Sequence, residues 1–185
     1  MRIALAEKKI PWEPIPVNLR AREHKRPEFL ALNPNGTVPV IRDDDLVLYD
    51  STIINEYLEE RHPKPPLTFP DPPRRAKVRQ WEDFGDNNFL RPAENIFIHL
   101  KGWRRFEEEQ IQSVGEKMLE SLAYVDKALE GREYLMDRFT YADISFAPRV
   151  IILDRLGISL PQGLVNVRAW IERLRERASL QNLEH

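Results

Sequence analysis

Cysteine is absent from all 185 residues, which excludes disulfides, thiolate metal ligands and a cysteine nucleophile from this chain, and no metal is expected. An excess of either charge is also missing. Lysine plus arginine number 28 against 30 aspartate plus glutamate, so a formal net charge of -2 removes the electrostatic case for nucleic acid or an acidic membrane as a partner. No apolar run reaches membrane-spanning length, and the basic-then-apolar layout of a secretory signal is lacking, so the expected location is the cytoplasm. What remains, 42% apolar and 31% charged, suits one or two compact domains with a real core.

Proline is plentiful, and its distribution divides the chain. Six of the 15 prolines fall between His62 and Pro73, a composition that resists helix and strand alike and reads as a semi-rigid linker. Before it, Met1–Lys9 reads as a short helix with Ile3, Ala6 and Ile10 on one stripe. Trp12–Leu19 reads as an edge strand, because Pro14 and Pro16 cannot donate to a ladder. A basic loop, Arg20–Arg26, leads to a helical turn or two over Pro27–Leu32. The apolar runs Val38–Arg42 and Leu46–Tyr49, separated by Asp43-Asp44-Asp45, stand at hairpin spacing and predict antiparallel neighbours. Ser51 occupies the place of a helix cap, ahead of an apolar stripe of Ile53, Ile54, Tyr57 and Leu58.

After the linker the periodicity predicts only helices, about 74–97, 107–129, 141–156 and 165–178. The clearest local signal there is a capping box, Thr140 with Asp143, stapled by Phe139 onto Ile144, which is structural and contributes about 1 kcal/mol. Trp81, Phe84, Phe89, Phe97 and Trp103 recur at helical spacing, which marks core more often than pocket. The expected domains are 1–62, a linker over 63–73, and a helical domain over 74–182. Residues 183–185 read as a purification-tag junction.

Candidate chemistry centres on Asn33-Pro34-Asn35-Gly36-Thr37-Val38-Pro39-Val40. Asn-Gly is a turn signal, with Gly36 free to take positive φ, and Pro39 at the mouth of the strand implies an edge position or a cis peptide. A cis bond would leave the Val38 backbone to pair an extended peptide, while a plain surface turn is the simpler alternative. His24 and Lys25 are on their own a solvated basic pair. Asp50-Ser51 is on its own a helix start, although such a start also attracts carboxylates, and Asp50 could meet a ligand ammonium.

The run from Glu23 through Pro39, continued by Asp50-Ser51-Thr52-Ile53-Ile54, resembles the glutathione S-transferases, most nearly their phi and theta classes. The resemblance extends to the proline linker, the Thr140–Asp143 box and the helix carrying Trp170-Ile171-Glu172-Arg173. It implies an α/β thioredoxin-like N-terminal domain followed by an all-α helical bundle, a homodimer, and glutathione as co-substrate for attack on a small electrophile. By the same resemblance, Val38 with Thr37 and a cis Pro39 would pair with the cysteinyl unit. Asp50 and Ser51 would hold the γ-glutamyl end, and His24 and Lys25 the glycyl carboxylate. Relatives usually carry glutamate where Asp50 stands, so its reach is shorter here.

In that family a first strand and a turn bearing serine, tyrosine or cysteine come before the helix that begins here at Met1. No serine or tyrosine precedes Tyr49. The expectation is a thioredoxin-like domain without its first strand, explained by a start assigned too far downstream, a deliberately shortened chain, or a natural variant whose open edges a partner subunit covers. Glu59-Glu60-Arg61-His62-Pro63-Lys64-Pro65-Pro66-Leu67 also resembles the stringent starvation proteins, which implies a non-catalytic binding protein that engages RNA polymerase as the alternative function.

Overall fold

Hydrophobic and helix-stop signals divide the chain into two compact units, Met1–Pro66 and Leu67–His185, in a computed structural model that describes residues 1–181. The tag-junction residues expected at 183–185 lie outside the described residues.

The N-terminal unit runs α1 (Arg2–Glu7), a 3-10 turn (Glu23–Lys25), α2 (Pro27–Leu30), β1 (Val40–Asp43), β2 (Leu46–Tyr49) and α3 (Ser51–Arg61). Bulky apolar side chains decide which face of α1 turns inward. Ile3, Ala4 and Leu5 are buried, whereas Ala6, expected on the inner stripe, is exposed. β1 and β2 are antiparallel, with Val40 opposite Tyr49 and Asp43 opposite Leu46, and the reversal is made by Asp44 at φ 52°. Aspartate tolerates that left-handed conformation better than most side chains.

The expected edge strand over Trp12–Leu19 does not form. The segment is extended but unpaired, with Ile15 82% exposed and Trp12 45% exposed. Pro11, Pro14 and Pro16 remove its donors, and among the described residues the sheet has two strands only. On α3, Ile54 and Leu58 are buried but Ile53 is half exposed. Tyr57 turns to donate to Asp43 Oδ2 at 2.5 Å, tying α3 to the hairpin, and that bond raises the phenol's pKa.

One buried cation fastens the C-terminal end of α3. The side chain of Lys8 is fully enclosed, and its ammonium meets Glu59 Oε2 at 2.7 Å, the carbonyl of His62 at 2.7 Å and that of Pro65 at 2.9 Å. Three donors find three acceptors, which is the condition under which burying a lysine is tolerable.

The second unit is helical: α4 (Pro72–Gly85), a π segment (Asp86–Leu90), α5 (Arg91–Leu100), α6 (Glu108–Ala128), α7 (Tyr141–Val150), a 3-10 turn (Leu153–Leu156), α8 (Val165–Arg175) and α9 (Ala178–Gln181). Its first anchors come from the stretch expected to be linker. Leu67 and Phe69 are buried, and α4 starts at Pro72 because Asp71 caps it, Oδ1 accepting from the Arg74 backbone N–H. Proline suits the first helical turn, where its missing N–H costs nothing. α4 and α7 approach closely at Gly85, where an added Cβ would lie 2.4 Å from Ser145 Oγ. The expected helix over 141–156 instead ends at Val150, and the following 3-10 turn is closed by Gly157 at φ 73°.

The Thr140–Asp143 box is present, and Asp143 does more than cap. Its fully buried carboxylate accepts from the Leu135 N–H at 3.0 Å, the Thr140 N–H at 2.9 Å and Trp170 Nε1 at 3.0 Å. Trp170 is itself fully buried, so one carboxylate joins the loop before α7, α7 and α8. Burial pushes the Asp143 pKa up to about 6 even though these hydrogen bonds pull it down.

An acid whose folded pKa exceeds its unfolded value of about 3.9 binds its proton more tightly when folded, so its ionisation lowers stability as pH rises. Unfolding free energy measured by urea titration is therefore expected to fall between about pH 4 and about pH 6, and Asp143→Asn should flatten that slope. Lys8→Met, which removes the ammonium that Glu59 and two carbonyls share, should cost about 3 kcal/mol in the same assay.

Candidate functional site

Three local structures converge at the end of the β1–β2 hairpin. The first is the turn that opens β1. Asn33 is fully buried and organises it: Nδ2 donates to the Thr37 carbonyl at 2.7 Å and to Thr37 Oγ1 at 3.0 Å, and Oδ1 accepts from the Asn35 N–H at 3.0 Å. Gly36 has φ 56°, and an added Cβ would meet the His24 carbonyl oxygen at 2.7 Å, Lys25 Nζ at 2.8 Å and Leu30 Cδ2 at 2.9 Å. Only glycine fits a left-handed position so closely surrounded. The Val38–Pro39 peptide is cis, and Val38 is 44% exposed.

The second is the 3-10 turn carrying His24 and Lys25, which the notion of a solvated loop would leave free. Lys25 Nζ instead donates to the carbonyls of Asn35 at 3.1 Å and Gly36 at 2.8 Å. The basic loop is thereby bonded to the turn that opens β1, with its ammonium held beside Gly36. His24 is half-buried, and its Nδ1 has no hydrogen-bond partner among the described residues.

The third follows from strand register. Because Val40 pairs with Tyr49, the next residues outward on the two strands are Pro39 and Asp50, so the bend and the start of α3 lie side by side. The cap is Asp50, not Ser51 as the residue types suggested. Asp50 Oδ1 accepts from Thr52 N at 2.9 Å and Ile53 N at 3.3 Å, and Ser51 becomes the first helical residue. The correction has a steric reason. Asp50 sits at φ 74°, ψ 127°, which releases the chain from β2 and aims its short carboxylate along the new helix. Such a conformation costs about 1–3 kcal/mol and persists only where surrounding structure enforces it, commonly at binding sites.

The result is an exposed backbone bend at Thr37-Val38-Pro39, with a cation on one side and a helix N-terminus on the other. It can accept a short extended peptide carrying negative charge at one end and a carboxylate at the other. Asn33 escaped the sequence reading, although the Asn-Pro pair pointed to it, because its importance lies in burial and bonding rather than in residue type. Among the aromatics, Phe89 is core, Trp81 and Phe84 pack with Tyr124 and Phe146, and Trp103 is exposed. Among the described residues, no group of three or more His, Asp or Glu is placed to hold a metal ion.

Comparison with known proteins agrees over most of the chain. Residues 1–61 match the family model "Glutathione S-transferase, N-terminal domain", and residues 89–178 match "Glutathione S-transferase, C-terminal domain". A maleylacetoacetate isomerase from Pseudomonas aeruginosa is 36% identical over 166 residues, covering 86% of this chain and 78% of that protein. A stringent starvation protein A homolog from Haemophilus influenzae is 33% identical over 181 residues, covering 97% and 81%. The crystal structure of Gtt2 from Saccharomyces cerevisiae superposes with a TM-score of 0.86 at 30% identity, covering 97% of this chain and 91% of that one.

Replacing Asn33 by alanine strands the Thr37 carbonyl and hydroxyl and the Asn35 N–H. The expected loss is about 2 kcal/mol in urea unfolding, with increased hydrogen exchange confined to the turn over residues 33–39.

Proposed function

The chain belongs to the glutathione S-transferase family, and from that membership we infer that the Thr37–Val38–Pro39 bend binds glutathione for attack of its thiolate on an electrophilic substrate, in a cytoplasmic homodimer. In this reading the Val38 backbone, flanked by Thr37 and Pro39, pairs with the cysteinyl unit. Lys25 and His24 receive the glycyl carboxylate. The Ser51 N–H and hydroxyl, at the start of an 11-residue helix, receive the γ-glutamyl carboxylate. Asp50 supplies negative charge toward the γ-glutamyl ammonium, but with Oδ1 turned inward to cap the helix its part is chiefly to set the helix start. The observation that carries the reading is the bonding of Lys25 to Asn35 and Gly36, which holds a cation at one end of the bend while the strand register holds a helix N-terminus at the other.

Activation of the sulfur is a separate matter from holding it. A free thiol has a pKa near 8.5, and lowering it by about two units takes roughly 2.7 kcal/mol of preferential thiolate stabilisation. Residues 1–48 contain no serine, tyrosine or cysteine to donate to it. These 185 residues therefore hold glutathione better than they activate it, and conjugation by them is slow. The similarity to a stringent starvation protein A homolog favours a second reading in which the scaffold binds a partner protein without catalysis.

Thermal denaturation separates the two. At a glutathione concentration ten times its Kd, binding should stabilise the protein by about 1.4 kcal/mol, and Lys25→Ala should abolish most of the shift. Absence of any shift at millimolar glutathione would favour the partner-binding reading. Turnover of an aryl-halide acceptor by the 185-residue protein at the rate of ordinary family members would contradict slow conjugation.

A further inference from the structure

The turn that opens β1 also carries chemistry directed at the chain itself. Asn35-Gly36 is the one Asn-Gly pair in the 185 residues. An asparagine side chain can be attacked at Cγ by the backbone nitrogen of the residue that follows, and glycine, having no Cβ, leaves that nitrogen least hindered. The neighbouring asparagine is immune, because Asn33 is followed by Pro34, whose nitrogen has no hydrogen to lose. Exposure follows the same division. Asn33 is fully buried with both ends of its side chain bonded, whereas Asn35 is exposed, and no hydrogen bond of its side chain occurs among the described residues.

The closed turn keeps the reacting pair apart. Gly36 N donates to the Asn33 carbonyl at 2.8 Å, closing a β-turn over residues 33–36, and Gly36 itself is buried, so base does not reach its N–H. In a turn closed in this way the third residue, here Asn35, stands at ψ of about 0°. Ring closure instead requires the Asn35 C–N bond to eclipse Cα–Cβ, a large rotation about ψ that the Gly36–Asn33 bond forbids. Asn33 Oδ1 further holds the Asn35 N–H at 3.0 Å, and Lys25 Nζ holds the carbonyls of Asn35 at 3.1 Å and Gly36 at 2.8 Å. Lys25 has an opposing effect as well, since donation to the Asn35 carbonyl makes the Gly36 N–H easier to ionise. Protection is therefore geometric, and it ends when the turn opens.

We propose that Asn35 is a self-modification site gated by the Asn33 turn. In the open turn the Gly36 nitrogen gives up its proton and bonds to Asn35 Cγ. The Cγ–Nδ2 bond breaks, and Nδ2 leaves as ammonia with one proton gained in place of that lost from Gly36. Water then opens the succinimide at either carbonyl, giving aspartate or isoaspartate at position 35. In the isoaspartyl product the main chain runs through Cβ, one atom longer between the Asn33 carbonyl and Gly36 N, and a new carboxylate stands near the Lys25 ammonium. The bond that closed the turn is lost, so the conversion is a one-way change in the segment that carries the exposed Val38–Pro39 bend.

Peptide mass mapping of the full chain during incubation in mildly alkaline buffer, folded or unfolded in guanidinium chloride, tests this. The folded chain should convert at Asn35 about a hundredfold more slowly than the unfolded chain, and the Gly36 amide should be protected from hydrogen exchange by a similar factor, since both wait on one opening. Asn33→Ala, which removes three of the bonds that hold the turn, should convert about thirtyfold faster than the folded parent. The separated isoaspartyl form should show raised exchange over residues 33–39. The proposal is overturned if the unfolded chain does not convert at Asn35, if the folded parent converts as fast as the unfolded chain, if folded Asn33→Ala converts no faster than the parent, or if exchange in the isoaspartyl form is unchanged. No arm uses glutathione, so failure here leaves the glutathione reading standing, and the reverse also holds.

Discussion

A carboxylate deprived of water must find donors, and in the helical unit Asp143 finds them on three pieces of chain at once. The N–H groups of Leu135 and Thr140 and the indole of Trp170 all point at it, so the loop before α7, the first turn of α7 and the middle of α8 are fixed by one side chain. Apolar burial around it, with Phe146, Leu174 and Val150 essentially inaccessible, supplies most of the driving force but is tolerant of small rotations. The carboxylate is not tolerant. It sets the angle at which α8 can pack, because among the described residues Trp170 Nε1 donates to Asp143 alone.

The N-terminal unit solves a different problem. Two strands with no fully buried residue between them are a marginal sheet, and the unit is held instead by point connections from side chains to backbone. Lys8 fastens the end of α3, Tyr57 ties α3 to the hairpin, and Asn33 and Lys25 close the turn ahead of β1. Those of Asn33 and Lys25 gather at the open end of the hairpin, where the bend at Val38–Pro39 is exposed. The backbone polar groups of that bend are displayed because the neighbouring polar groups are already paired.

Much of this was legible from residue order. Helices in the second half followed from periodicity, and the hairpin from spacing. The proposed glutathione-binding residues His24, Lys25, Thr37, Val38, Pro39, Asp50 and Ser51 stand out only as an ordered set, since each alone is commonplace. What could not be read was any feature set by a competition between two local choices. Asp50 and Ser51 are both good caps, and strand geometry selected Asp50. Trp12–Leu19 had the composition of an edge strand, but an edge strand needs a neighbour. The proline-rich stretch read as linker, yet Leu67 and Phe69 are anchors of the helical core, because two large apolar side chains outweigh the prolines around them.

The amino-acid sequence by itself determined the family, the two-part organisation and the identity of the turn, because these rest on local chemistry: glycine for positive φ, proline for missing donors, apolar residues at helical spacing. Tertiary structure alone decided that Lys25 is bonded to the turn, that Asp143 is a hub as well as a cap, and that Leu67 and Phe69 belong to the helical core. In each case the residue type permitted both outcomes. The choice fell to which partners were left without water when distant segments packed together, and no window of sequence contains that information.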